Sequence, residues 1–353
     1  MAEGQQLRLE PCRHCPTCPA SYFCDEGATE FGCDNEFTRP QQTEGGGRDI
    51  MHPLRPDLTE RLAECGGLDI RIRTRAAQQA LPRLPSYIPR VQPQAGFESP
   101  QCLAVAVPLE RVGLSGHVRT AAEMKTALGL PPETVIIVTS FQDDRVLERV
   151  WRGRRPLAES LASAGYDLIT VPNFSVWEGD TRLEHRYNIA RSLRMFEILL
   201  EAGVPAVPHV SWYLERDLDD WIRELRRWAG LRAFSLDLST LESRQAWAWA
   251  MPGLRRFFHG IGQEWEVLVN GPSVRRRICD VSEICGHIHL TNERPFQLAM
   301  SRHVTIDELL TSRTQRTPKA RMEIFALEVR KMVDAVGPAP ACCRLSAGAG
   351  LRA

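Results

Sequence analysis

Two groups of residues in this chain have the types and spacing that chemistry needs. The first is Cys12-x2-Cys15-x2-Cys18-x5-Cys24-x8-Cys33, five thiols with His14 among them. Tight Cys-x2-Cys turns bring two sulfurs to one tetrahedral ion, so a structural zinc is the expected occupant. Cys-x2-Cys-x2-Cys also occurs in ferredoxin-type ligation, which keeps an iron–sulfur cluster as the alternative. The Cys-x3-Cys-x2-Cys spacing of radical enzymes is absent. A cluster holding no metal is the third reading.

The second group consists of polar side chains inside apolar runs, where burial is costly unless they are paired. Asp237 stands in AFSLDLS and His209 in AVPHVSW. A carboxylate so placed can be a general base, a nucleophile or a ligand; a structural hydrogen bond is the competing explanation. Asn173 and Ser175 close DLITVPNFS, with Trp177 and Glu178 beyond, while Gln142, Asp143 and Asp144 follow TVIIVTSF. Asp143 and Asp144 serve equally well as N-caps of a helix over 145–164. A sixth run, FFHGIG, carries His259, and Gln263 and Glu264 follow it. His287 and His289, two apart on a seventh run, face one side of a strand and could share a metal with Cys279 or Cys285.

These positions gain meaning from the elements that carry them. Apolar runs at 103–109, 134–141, 167–174, 206–212, 233–239, 257–262 and 287–292 alternate with helical stretches, the pattern of strands buried on both faces in βαβ units. Glycines in SAGYDLI and EAGVPAV mark helix ends. Seven units predict a (βα) TIM-barrel-like parallel barrel over residues 101–335, either one strand short or completed by DIRIRT (69–74); a doubly wound open sheet is the rival. In both folds ligands sit at the carboxyl ends of the strands. Residues 1–40 form a Cys-rich metal-binding segment in this reading, 41–100 a linker and connector, and 336–353 a disordered tail.

Basic and acidic residues balance at 44 each, so no global field steers the chain to nucleic acid. Two arginine clusters, Arg145 to Arg155 around Trp151 and Arg275 to Arg277, could still hold a phosphate backbone or form solvated helix faces. No apolar run reaches the roughly 18–20 residues of a membrane helix and the N-terminus lacks a secretory pattern, so a cytoplasmic protein without a membrane partner is expected. P-loop, GxGxxG, HExxH, GxSxG and kinase signatures are absent.

Pro-Asn-Phe-Ser at 172–175, Tyr-Asn at 187–188, Arg-Ser at 191–192 and Pro-His at 208–209 resemble a group of bacterial and phage proteins known as a domain of unknown function, over some 190 residues. That resemblance implies no reaction. A more distant likeness is to the tRNA-guanine transglycosylases, barrels with an aspartate nucleophile and a late zinc site; Asp237 and the Cys279, Cys285, His287, His289 group occupy comparable places, without the closely spaced zinc-cysteine motif. The leading expectation is a metal-containing barrel enzyme acting on a nucleobase, nucleotide or nucleic acid. In it Asp237 is nucleophile or base, and His209, Asn173 and Ser175 position substrate. A nucleic-acid-binding accessory protein of a mobile element and a small-metabolite hydrolase or lyase are the alternatives.

Overall fold

The computed structural model describes residues 63–74, 80–94, 97, 102–114, 117–176, 182–228, 230–262, 264–307, 310 and 313–336. The cysteines at 12, 15, 18, 24 and 33, Trp177, Glu178, Gln263 and the stretch 337–353 lie outside these residues.

Eight strands line up in parallel: β1 (Tyr87–Pro89), β2 (Ala104–Pro108), β3 (Val135–Thr139), β4 (Leu168–Thr170), β5 (Ala206–Val207), β6 (Ala233–Asp237), β7 (Glu266–Asn270) and β8 (His287–Asn292). They pair in two sets, β1-β8-β7-β6 and β2-β3-β4-β5. Parallel bridges join the sets at both edges, Arg90 to Ala106 and His209 to Ser235. Main-chain bonds reinforce the seams: Val91 N donates to Ala106 O at 2.8 Å and Ser235 N to Pro208 O at 2.8 Å. The ring is therefore a closed eight-stranded (βα) barrel, the closure by which such a fold removes its edges.

Alternation along the strands divides the chain's apolar residues in two. Ile88, Ala104, Ala106, Ile137, Leu168, Val207, Ala233 and Leu268 form a plug inside the ring. Their neighbours, such as Val105, Ile136, Ile169, Phe234, Val267 and Leu290, belong to the larger core shared with the helices. Both faces are dry, which is why the runs look almost continuously apolar.

Around the ring lie α1 (Leu109–Val112), α2 (Ala121–Leu128), α3 (Asp144–Arg152), α4 (Arg154–Ala164), α5 (Arg182–Glu201), α6 (Glu215–Arg227), α7 (Arg244–Ile261), α8 (Arg275–Ser282), α9 (Arg294–Ser301) and α10 (Arg321–Val336). Thr120 and Glu123 form a reciprocal capping box at the start of α2. Gly165 and Gly203, at φ 73° and 80°, stop α4 and α5 as the sequence implies. An antiparallel pair, β9 (His303–Thr305) and β10 (Thr314–Arg316), stands apart from the barrel.

Three expectations are corrected. FFHGIG is not a strand but the last turns of α7, with Phe257, Phe258 and Ile261 buried on one face. The true seventh strand, Glu266–Asn270, lies between the runs at 257–262 and 287–292, where the alternation predicts a helical stretch over 264–279. The eighth strand is Tyr87–Pro89, inside the proline-rich connector, and not DIRIRT. Ile70 and Ile72 are buried, so DIRIRT does alternate, but its backbone bonds go to helix side chains. Ile72 N donates to Glu224 Oε1 at 2.7 Å, Arg73 N donates to Glu197, and Ile72 O accepts from Arg227 at 3.0 Å. Buried Arg186 donates to Leu68 O and to Asp217 Oδ1, both at 3.0 Å. The segment is a strap across α5 and α6. Among the described residues no helix is long and apolar enough to cross a membrane.

Candidate active site at the barrel mouth

At the carboxyl end of the ring the inward register turns from apolar to polar. Above the plug, β6 ends in Asp237 and β7 in Asn270, which face each other in register. Asp237 is held by four donors. Its Oδ1 accepts from Ser239 N at 3.0 Å, Ser239 Oγ at 2.6 Å and Asn270 Nδ2 at 2.9 Å; its Oδ2 accepts from Asn173 Nδ2 at 3.1 Å. This fixes the plane of the carboxylate and leaves Oδ2 the less engaged oxygen. The loops after β6 and β7 touch closely: a Cβ on Gly271 would come within 2.4 Å of Ser239 N, so glycine is required there, at φ 129°.

His209 lies beside this carboxylate, nearly sealed, with Nδ1 3.2 Å from Ser235 Oγ and its ring edge-on to Phe141. Burial pushes its pKa down to about 4, against an opposing pull from Asp237, so the ring is neutral near pH 7. Nε2 has no hydrogen-bond partner among the described residues. Arg90, one residue past β1, bonds Phe141 O at 3.2 Å and pairs with Glu293 at 3.1 Å. Its pKa is lowered by burial, while Glu293, Asp237 and Glu110 favour its charge.

Asn173 and Ser175 are where the sequence places them, and helix α5 shows how they are kept there. Ser192 Oγ donates to Pro172 O at 2.9 Å, Asn188 Nδ2 to Ser175 O at 2.6 Å, and Arg191 to Asn188 Oδ1 at 2.6 Å. Arg191 itself sits 4.1 Å over the Phe174 ring and pairs with Glu148. Three of the residues that carried the resemblance to the domain of unknown function, Asn188, Arg191 and Ser192, are thus supports of the 172–175 loop. Ser175 Oγ donates to Asp144 at 2.6 Å, and Asp143 caps α3 by accepting from Arg145 N.

Two cavities meet at the mouth, of about 630 and 1020 Å³, and share Asn173, Ser175, Asp237 and Thr240. The smaller is walled by His209, Ser211, Trp212, Tyr213 and Trp249. In the larger, three arginines (Arg90, Arg277, Arg294) stand among six carboxylates (Glu110, Asp143, Asp144, Asp237, Glu242, Glu293). Arg277 is committed to the carbonyls of Leu241 and Glu242 and packs on Trp247. The chain's three lysines, Lys125, Lys319 and Lys331, line neither cavity, so the mouth has no amine for a Schiff base.

Other predicted positions fall elsewhere. His259 is exposed on α7. His287 and His289 are at the opposite, amino end of β8, not at the mouth. His289 is closed on both nitrogens, by Pro85 O at 2.9 Å and Glu266 Oε2 at 2.6 Å, while His287 is exposed. Cys279 and Cys285 are buried, and among the described residues no group of three or more His, Cys, Asp or Glu could hold a metal. Trp151 is buried under Arg154 and bonded to Glu64, so it is not a stacking platform for bases. Sequence reasoning missed Arg90 and Asn270 because their strands were missed; the one signal available was Asn270 at the end of the apolar EVLVN.

No family model and no curated protein matches the chain. Among solved structures it is similar to one described as native KDPGal, at 13% identity and TM-score 0.37, covering 73% of this chain and 96% of that one. It is likewise similar to a mutant tryptophan synthase alpha-subunit from Pyrococcus furiosus, at 14% identity and TM-score 0.36, covering 71% and 97%. At these scores the likeness assigns nothing, and the barrel rests on its own strand register.

Proposed function

We propose that this chain is a (βα)-barrel enzyme whose mouth acts on a nucleobase- or nucleoside-sized molecule, with Asp237 as nucleophile or base in a transglycosylase-like or hydrolytic step. The observation that carries this reading is Asp237 itself: a carboxylate clamped by Asn173, Asn270 and Ser239 in the wall common to both cavities. Such preorganisation holds a reacting group in place before substrate arrives. His209, neutral and open at Nε2, can exchange a proton with the bound molecule. Cavities of these volumes suit a small molecule. The excess of carboxylates over arginines disfavours a polyphosphate strand, and none of the arginines around Trp151 lines either cavity. Purified full-length protein incubated with nucleosides and free bases should release or exchange a base, and Asp237→Asn should remove that activity while the fold persists. Undiminished turnover in Asp237→Asn would sink the proposal.

A small-metabolite hydrolase or lyase is the second reading, supported by the same cavity volumes. It predicts turnover in a broad panel of polar metabolites and none with nucleosides.

A further inference from the structure

The two cavities at the mouth differ in chemistry, and the difference says what each would take. The smaller has an aromatic wall. Trp249 is 55% exposed at its rim, so its indole face is open to the cavity, and Trp212 and Tyr213 stand within. Ser211 in the same wall is 8% exposed, and its hydroxyl has no partner among the described residues. A buried hydroxyl left unpaired is a cost that a ligand atom could relieve. The larger cavity has no comparable aromatic surface: it is lined by amides, hydroxyls and carboxylates, with six carboxylates to three arginines. Arg277 is bound to backbone, Arg90 is matched to Glu293 and Arg294 donates to Ser273 Oγ at 3.4 Å, so each arginine of this cavity already has partners.

We infer that the smaller cavity seats a planar heterocyclic ring and the larger an uncharged polyhydroxylated group, so that the substrate class is a neutral glycoside of a ring base, without phosphate. Asp237, in the shared wall, then lies beside the bond joining the two parts. This deepens the function proposed above and rests on it only for the role of Asp237. Stacking on Trp249 supplies affinity for the ring and tolerates different bases, because every base has a π-face. Hydroxyls of the sugar donate to the carboxylates. A terminal phosphate would meet net negative charge at short range and be rejected, more strongly at low salt.

The test is calorimetric titration of the full chain with adenosine, inosine, cytidine and thymidine, with their 5′-monophosphates, and with D-ribose. At least one nucleoside should bind, its monophosphate about tenfold more weakly at low salt, the gap narrowing as salt rises. Trp249→Ala, an exposed position whose loss leaves the core intact, should weaken the nucleoside about tenfold. Equal or tighter binding of the monophosphate, an unchanged affinity in Trp249→Ala, or no binding by any of the four nucleosides overturns the inference. Asp237→Asn separates it from the function proposed above. A variant that binds the nucleoside and still turns it over defeats the catalytic role and leaves the substrate class standing.

Discussion

The barrel carries a histidine near a carboxylate at each end, and the two pairs are built to opposite purposes. At the amino end, His289 is bonded through both nitrogens, to Pro85 O and to Glu266, and ties the connector before β1 to the foot of β7. At the carboxyl end, His209 has one nitrogen anchored to Ser235 and the other open, and Asp237 is clamped by amides and a serine rather than by the histidine. A saturated pair is a staple. An unsaturated one, next to a cavity, is available to something else. Residue identity is nearly the same at the two ends; the number of unfilled hydrogen-bond positions distinguishes them.

The sharpest way to break this contrast is Asp237→Asn. Turnover should fall by about 10²–10⁴-fold, the range for loss of a positioned base, with little change in unfolding temperature. The same exchange at the other end, Glu266→Gln, should leave turnover unchanged. Acid titration of stability comes next. His209 is held neutral, its pKa pushed down to about 4 from the 6.5 of a free imidazole, so the folded state takes up fewer protons than the unfolded one. Stability from this group is whole above pH 6.5 and is lost as pH falls toward 4. The loss approaches about 3 kcal/mol, and thermal unfolding at pH 7 and pH 4.5 should show it. In His209→Gln that pH-dependent part should vanish; an identical pH profile would refute the buried neutral ring. His289→Phe should cost about 1–3 kcal/mol in denaturant unfolding, because Glu266 and Pro85 O lose their hydrogen-bond partner, yet leave ligand binding at the mouth untouched. The smallest effect expected is that of Asn188→Ala. Freeing the 172–175 loop should lower kcat by about tenfold, with KM less affected, because Asn173 loosens its hold on Asp237.

Much of the fold was legible because fully buried strands leave a coarse signature. Six of the eight strands coincide with apolar runs, and the two missed have clear physical reasons. β1 is three residues long and ends in proline, so it reads as connector. β7 begins with Glu266, whose carboxylate is turned to His289, and this interrupts the apolar pattern at its start. Losing these two strands hid Arg90 and Asn270. Asp237 and His209 could be seen in advance for one reason: a polar residue within an otherwise dry strand is expensive, and the cost is visible in sequence. Conversely, alternation in DIRIRT is real but does not name its partner. Carboxylates on helices satisfied its backbone, a solution that no periodicity foretells. The histidines of β8 have the right spacing and the wrong end of the strand.

Closure of the ring by Tyr87–Pro89 against β8 also bears on how the chain can be made. Tyr87 pairs with Leu290, two hundred residues downstream. During synthesis β1 to β5 can assemble as a half-barrel soon after they emerge, with β1 tied to β2 by the Arg90–Ala106 bridge, but the other edge of β1 must wait for β8 until nearly the whole barrel has been translated. Contacts of such long range form late and slowly. In the interval the inner faces of Ile88, Ala106 and Ile137 have no lid, and the nascent chain is most exposed to association with its own copies. Expression yield should therefore respond more to translation speed across residues 206–292 than to changes at the mouth.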